Sequence, residues 1–323
     1  MTLRFLETLQ RAHAASPTAA RHARFAGDAT LRALRDRLLA VAGPALDRGL
    51  RLHVLVDPVL VDPLKTAAGR DQAIDVPLAA HADAPVRAPY LLALGDMGRD
   101  DRVDLALDLG FAEATRHPER ETRGATICAF VACPPADAAR VAGALADVAR
   151  RRAASRRQRL LRLWEPRVFE HLMPLLSGPA LRELTADSAG WWWIGRDGAL
   201  ASRREAAGDT GRGWASSDVV DTLASIGAIN GVLNALQDAA VASDRLPPTS
   251  TLLALLARAR TQWGLADDFE LIQFALYGVL VRADFDGDAE VRAAMAVARE
   301  RGESCIDALA SFDESHWEQR HDV

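Results

Sequence analysis

The stretch that decides the fold runs from Leu160 to Ile194, LLRLWEPRVFEHLMPLLSGPALRELTADSAGWWWI. It predicts a strand, an abrupt turn, two helices and a further strand. The first strand is expected over Leu160 to Trp164, an apolar run broken only by Arg162. Pro166 lacks a backbone donor and favours an extended conformation at Glu165, so the strand should end there and a helix should begin at Pro166.

Arg167 is the unusual residue of this corner. A cation in the first turn of a helix opposes the helix dipole, and the nearest carboxylate is that of Glu165. We therefore expect an ion pair that fixes the corner; the alternative is an exposed pair that contacts a partner. Because the corner itself, residues 162–169, holds no nucleophile or histidine and no carboxylate besides Glu165, it does not indicate catalysis.

Length and composition indicate an ordinary globular protein with room for two domains. The chain has 323 residues, of which 49% are hydrophobic and 26% charged. No apolar run approaches the roughly 20 residues that span a bilayer, and the start, MTLRFLETLQRAHAAS, lacks the apolar core of a signal peptide. The three cysteines, Cys128, Cys133 and Cys305, have no metal-ligand spacing. We expect buried, reduced thiols in a cytoplasmic protein without a membrane partner.

Charge is distributed unevenly along the chain. From residue 215 onward there are 18 acidic and 8 basic residues, against 26 acidic and 31 basic residues before it. This division can orient a partner, or it can reflect two solvated surfaces. The segment from Arg150 to Arg159 holds six arginines, but it has no interleaved aromatic residues for base stacking. A nucleic-acid binder would therefore be a third class of function, and we expect no nucleic-acid partner.

Apolar segments alternate with helical periods over the first part of the chain. They predict an α/β (or α+β) N-terminal lobe, residues 1–195, with a mixed sheet of about five strands. The strands are expected at Leu52 to Val56, Ala88 to Asp96, Gly124 to Cys133, Leu160 to Trp164 and Trp191 to Ile194. The segment from Val59 to Arg87 shows little period and predicts a short helix or turn with loop.

The polar, glycine-rich residues 196–214 predict a linker loop, and residues 215–323 predict an all-helical domain. Its helices have plausible boundary residues in Ser216 or Ser217, Gly264 and Asp267. Two short motifs in this part of the chain superficially resemble ligand loops. GDTGRG at residues 208–213 lacks the ending of a P-loop, and DFDGD at residues 284–288 has its glycine in the wrong place for a calcium loop. We interpret them as a linker and an interhelical turn.

Three carboxylates follow predicted strands: Asp57, Asp96 and Glu165. If those strands were parallel, the carboxylates would converge and could bind a metal for hydrolysis. Aspartate after a strand is also common turn chemistry. A metal-assisted hydrolase is therefore kept as the alternative function.

Three consecutive tryptophans, Trp191 to Trp193, occupy the last predicted strand. Successive side chains of a strand point to opposite faces. One or two of the rings should therefore lie in the core, while another, with Trp192 as the candidate, lies at a lobe or partner interface.

Three segments together resemble a known family. Arg162 to Phe169, RLWEPRVF, is similar to the Arg-Phe-Tyr-Asp-Pro-Arg-Val-Leu signature of the type VI secretion effector chaperones. His53 to Asp57 resembles the first strand of that adaptor family, and Ala88 to Leu92 resembles its Ala-Pro-Tyr-Leu strand. The resemblance covers about residues 50–195. A weaker match runs from Trp263 to Asp286. Glu165 and Trp164 replace the usual Asp and Tyr.

The resemblance implies a non-enzymatic adaptor that binds an effector in the producing cell and helps load it onto the VgrG spike protein. It implies no cofactor and no metal. The helical domain or the groove between the lobes is expected to contact the cargo. The candidate motif and partner-binding residues are Arg162, Trp164, Glu165, Pro166, Arg167, Asp57, Tyr90 and Trp192.

Overall fold

The computed structural model describes residues 26–58, 64, 73–78, 88–95, 101–116, 125–153, 162–176, 178–186, 188–203, 212–312 and 316–317. Within these residues the strands are β1 (Arg51–Val56), β2 (Ala73–Asp75), β3 (Tyr90–Ala93), β4 (Ile127–Cys133), β5 (Gly190–Ile194) and β6 (Leu200–Arg203). The helices are α1 (Asp28–Leu46), α2 (Asp101–Ala114), α3 (Ala138–Ala153), α4 (Pro166–Leu172), α5 (Gly178–Thr185), α6 (Ser217–Asp238), α7 (Thr249–Trp263), α8 (Asp268–Leu280), α9 (Ala289–Arg301) and α10 (Cys305–Leu309).

The N-terminal lobe is built on one sheet with the strand order β2-β3-β1-β4-β5-β6. The predicted fold class, a lobe of strands and helices followed by a helical lobe, is confirmed. The sheet differs in detail from the predicted mixed sheet of about five strands: it has six strands, and every described pairing is antiparallel. Helices cover both faces: α1 and α2 pack on one, and α3, α4 and α5 pack on the other.

The three tryptophans of β5 alternate between these faces, as predicted. Trp191 and Trp193 pack on the side of α4, where the Phe169 ring centroid lies 5.4 Å and 5.9 Å from theirs. Trp192 lies on the opposite face and is 1% exposed. It is therefore a core residue and is not available to a partner.

The strand predicted over Leu160 to Trp164 is wrong for the residues that the structure describes. Arg162 to Trp164 form a turn, closed by a 3.1 Å hydrogen bond from the Glu165 amide to the Arg162 carbonyl. β1 is already paired on both sides, with β3 and β4, so the segment has no ladder position beside it. Leu160 and Leu161 lie outside the described residues.

The sheet continues into the predicted linker. β6 pairs with β5 inside residues 196–214, after a turn in which the Gly195 amide donates to the Ala199 carbonyl at 2.9 Å. Gly198 has a φ of 76° in this turn, a conformation that disfavours side chains with a Cβ. The short β2 likewise lies in a segment predicted as helix or turn with loop.

The helical lobe, α6 to α10, encloses a separate core. The predicted boundaries are confirmed: the Ser216 hydroxyl caps α6, Gly264 ends α7 at a φ of 70°, and Asp267 caps α8. Among the described helices, α6 alone is long and apolar enough to cross a membrane, and 44% of its most apolar window is buried inside the structure. The helix predicted near Leu3 to Ala14 lies outside the described residues.

Candidate functional site

The corner between β1 and α4 is centred on the carboxylate of Asp57. Oδ2 of this fully buried residue accepts hydrogen bonds from Arg162 Nε at 3.0 Å, Arg162 Nη2 at 2.7 Å and Trp164 Nε1 at 2.5 Å. Burial alone would lower the pKa of Arg162, but the carboxylates of Asp57 and Glu165 outweigh it and raise that pKa above its usual value. The arginine therefore stays charged, and the corner is an ion pair reinforced by an indole donor.

Pro166 is the first residue of α4, as predicted, and Glu165 occupies the preceding position with the extended backbone that proline favours. Arg167 Nε lies 3.8 Å from Glu165 Oε1, at the long end of the ion-pair range. Arg167 is only 7% exposed, and its burial lowers its pKa. This burial favours the structural interpretation of the pair over a contact surface.

Tyr90 joins the second motif segment to the same corner. It is the first residue of β3, and it pairs with Val56, the residue before Asp57. Its ring is 4% exposed, so it supports the sheet and presents little surface to a partner.

The convergence of carboxylates proposed for a metal site required parallel strands. Because β3 runs antiparallel to β1, the end of β3 at Ala93 pairs with His53, away from Asp57. Asp96 lies outside the described residues, and Glu165 precedes α4. In the described part of the chain, no group of three or more His, Cys, Asp or Glu side chains is arranged to hold a metal.

A second polar cluster, which the sequence did not reveal, joins the two lobes. Arg196 follows β5 and donates to three amide oxygens on one face of α6: Asn230 Oδ1 at 2.6 Å, Asn234 Oδ1 at 2.8 Å and Gln237 Oε1 at 2.5 Å. Its Nε lies 3.2 Å from Glu170 Oε2 on α4. Burial lowers the pKa of Arg196 to about 10, so it remains a cation at neutral pH.

His171 belongs to the same contact. Its Nδ1 lies 2.8 Å from Thr249 Oγ1 on α7, and its Nε2 lies 3.4 Å from Asn230 Oδ1 on α6. Burial, with a contribution from the charge of Arg196, lowers the pKa of His171 to about 4. The imidazole is therefore neutral at physiological pH, and both of its ring nitrogens contact polar groups of the helical lobe.

Two clefts flank this interlobe contact. One, of about 540 Å³, lies between β6, α4 and the segment leading into α7, with Trp193 and Arg196 on its wall. The other, of about 880 Å³, follows the groove between α6 and α7. The two share the lining residues Glu170, His171, Pro174 and Thr249. The groove expected between the lobes is thus a pair of adjacent clefts.

The structure sorts the predicted site residues into two groups. Asp57, Arg162 and Trp164 form one hydrogen-bonded cluster, with Glu165, Pro166, Arg167 and Tyr90 around it, whereas Trp192 lies elsewhere in the core. The interlobe residues were missed because isolated arginine, asparagine and glutamine residues carry no local pattern. Comparison of the chain with protein-family models, curated proteins and solved structures finds no significant match.

Proposed function

We propose that this chain is a non-enzymatic adaptor of type VI secretion. It binds an effector in the cytoplasm of the producing cell, stabilises it and helps to load it onto the VgrG spike protein. The proposal rests on the resemblance of three sequence segments to the effector chaperones.

The observation that carries the proposal is the meeting of these segments in space. The first ends at Asp57, whose carboxylate accepts hydrogen bonds from Arg162 and Trp164 of the third. The second begins its strand at Tyr90, which pairs with Val56. Segments far apart in the chain that form one contact unit are expected if the motif is a shared structural element and not three chance similarities.

The weaker match in the helical lobe has a similar property. Trp263 Nε1 donates to Asp286 Oδ2 at 2.9 Å, so the two ends of that matched run are bonded to each other. Both matched regions therefore contain a buried aspartate held by an indole. This supports an extension of the resemblance to the helical lobe, although the three segments of the sheet lobe support the proposal more strongly.

Co-expression tests the proposal. The tagged chain is produced together with the products of its neighbouring genes, and pull-down and size exclusion identify what elutes with it. We expect a stable complex with a large neighbouring protein that is insoluble or unstable alone. A chain that elutes by itself and carries a stoichiometric divalent metal by elemental analysis would contradict the adaptor and favour the hydrolase.

A further inference from the structure

We propose that the open edge of β6, with the 540 Å³ cleft beside it, docks an extended polypeptide segment of the partner protein by strand addition. This inference rests on the proposed function, because the partner is the cargo inferred above. It adds the place and the mode of recognition, which the sequence left open.

The register of β6 shows which of its backbone groups face away from β5. The hydrogen bond from the Gly195 amide to the Ala199 carbonyl, and the pairing of Trp193 with Ala201, fix the alternation of the β5–β6 ladder. In an antiparallel pair, every second residue directs its N–H and C=O groups away from the neighbouring strand. Leu200 and Ser202 are those residues, so their backbone groups point to the open edge.

The edge of β6 that faces away from β5 lies beside the 540 Å³ cleft. β6 ends the strand order, and among the described residues β5 is its only partner in the sheet. Ala201 and Ser202 both line the cleft, although their side chains point to opposite faces of the sheet. The cleft therefore opens along the edge of the strand, where a further strand would lie.

The chemistry of the cleft is suited to a peptide. Part of its wall is apolar, and Glu170 and Arg196, which also line the cleft, neutralise each other, with Arg196 Nε 3.2 Å from Glu170 Oε2. Strand addition binds the backbone through the edge and takes alternate side chains into adjacent pockets. The expected occupant carries apolar side chains at alternate positions. The apolar wall residues are Leu233, Leu246, Pro247 and Pro248.

The two edges of the sheet differ in protection. Exposed edges are commonly guarded by proline, by bulges or by very short strands. β2 has only three residues and is followed by Pro77, whose carbonyl accepts a 2.8 Å hydrogen bond from Arg150. β6 contains no proline, and its pairing with β5 shows no register shift. Among the residues that the structure describes, the edge of β6 is therefore the less protected of the two, and it is the one beside the cleft.

The test removes one outward donor without disturbing the ladder. Ser202→Pro deletes an N–H that faces the open edge, a position at which strands tolerate proline. Asp75→Pro is the matched control, because Val76 donates to the Pro89 carbonyl and Asp75 therefore faces the open edge of β2. The probe is the neighbouring-gene product that co-elutes with the wild-type chain, titrated as overlapping synthetic peptides.

We expect Ser202→Pro to weaken binding of the best peptide by about tenfold or more, with the melting temperature nearly unchanged and Asp75→Pro at wild-type affinity. Wild-type affinity in Ser202→Pro, or equal losses in both variants, would overturn the docking site while leaving the adaptor function intact. A wild-type chain that binds no neighbouring product would contradict the adaptor function itself.

Amide hydrogen exchange on the wild-type complex gives a second measurement, needed if Ser202→Pro fails to fold. Exchange at Leu200 and Ser202 should slow by about tenfold or more on peptide binding, as expected for newly formed ladder hydrogen bonds. Unchanged exchange at both amides would overturn the proposal. So would a wild-type dimer in size exclusion whose β6 amides are already protected, because a second copy would then occupy the edge.

Discussion

Asp57 and Asp286 are buried in the same way, although one follows a strand and the other lies in a turn between helices. Each accepts an indole N–H, from Trp164 and Trp263 respectively, and each pairs with an arginine. A buried carboxylate is costly unless its charge is paired and it accepts hydrogen bonds, and at Asp57 all three side-chain bonds go to Oδ2 while Oδ1 accepts none. The tryptophans therefore act as positioned donors as well as core volume.

Replacing one indole donor should measure this contribution. Trp164→Phe keeps an aromatic ring but removes one of the hydrogen bonds to Asp57, and we expect a loss of about 1–3 kcal/mol in the free energy of unfolding. Trp191→Phe is the control, because its indole is equally buried in the same core but donates to the neutral hydroxyl of Ser188. Urea denaturation compares the two, and equal losses would contradict a special role for the carboxylate.

His171 predicts a dependence of stability on pH. Its pKa falls from 6.5 to about 4 on folding, chiefly through burial, so the unfolded chain binds the extra proton first as the pH drops. The free energy of unfolding is therefore unaffected by this residue above pH 6.5 and falls between pH 6.5 and pH 4, by about 3 kcal/mol in total. His53 also has a lowered pKa and contributes in the same direction.

The comparison of wild type with His171→Gln isolates the effect of this histidine. Glutamine can still hydrogen-bond to Thr249 and Asn230 but does not titrate. Urea denaturation across the same pH range should show a shallower decline in the variant. Parallel curves for the two proteins would refute the assignment.

At the scale of elements, the sequence predicted the strong periods and missed the weak ones. β1, β3, β4 and β5 are apolar runs, and the sequence identifies all four. β6, Leu-Ala-Ser-Arg, has neither an apolar run nor an alternation, and β2 has only three residues. The segment before Pro166 has the composition of a strand, but β1, which it lies beside, is already paired on both sides. Whether such a segment becomes a strand depends on which strand lies beside it, and the local composition does not carry that information.

The crossing of α7 and α8 depends on a glycine. A Cβ at Gly278 would overlap both methyl groups of Leu255, one of which would lie only 2.9 Å away, and this side chain is itself 2% exposed. Gly278→Ala should therefore destabilise the helical lobe by about 1–3 kcal/mol, because neither element can easily move.

Gly227→Ala on α6 is the matched control. The nearest atom to its added Cβ, Asp268 Oδ2, is 3.8 Å away, so the helix preference of alanine should stabilise the lobe by about 0.5–1 kcal/mol. Thermal denaturation of both variants should shift in opposite directions. Equal shifts would show that helix propensity, and not the helix crossing, dominates.

At the scale of the whole molecule, the two lobes meet along α6. In its first half the contact is apolar, because Val219 belongs to the core of the sheet lobe and Leu223 and Ile226 pack against that core. In its second half the contact is polar. Asn230, Asn234, Gln237 and Asp238 lie within two turns of α6, and all contact the sheet lobe or the residues beside it. The opposite side of α6 packs in the helical core. In sequence these residues are typical of a solvated helix face, which explains why the interface was not predicted. The polar half of α6 thus adds a few directional bonds to the apolar contact of the first half.

Arg196 is the residue on which this contact depends most. It is 5% exposed, and Arg196→Ala would leave Glu170 without this ion-pair partner and Asn234 and Gln237 without the donor to their amide oxygens. We expect a loss of about 3 kcal/mol in the free energy of unfolding and a separation of the single urea transition into two, one for each lobe.

Arg116→Ala is the control: it removes a bidentate but more exposed ion pair with Asp238, also between the lobes. The free energy of unfolding of Arg116→Ala should fall by about 1 kcal/mol or less, and the variant should still unfold in one transition. If both variants unfolded in one transition with similar losses, coupling of the lobes would be distributed over the interface, and Arg196 would be one contact among many.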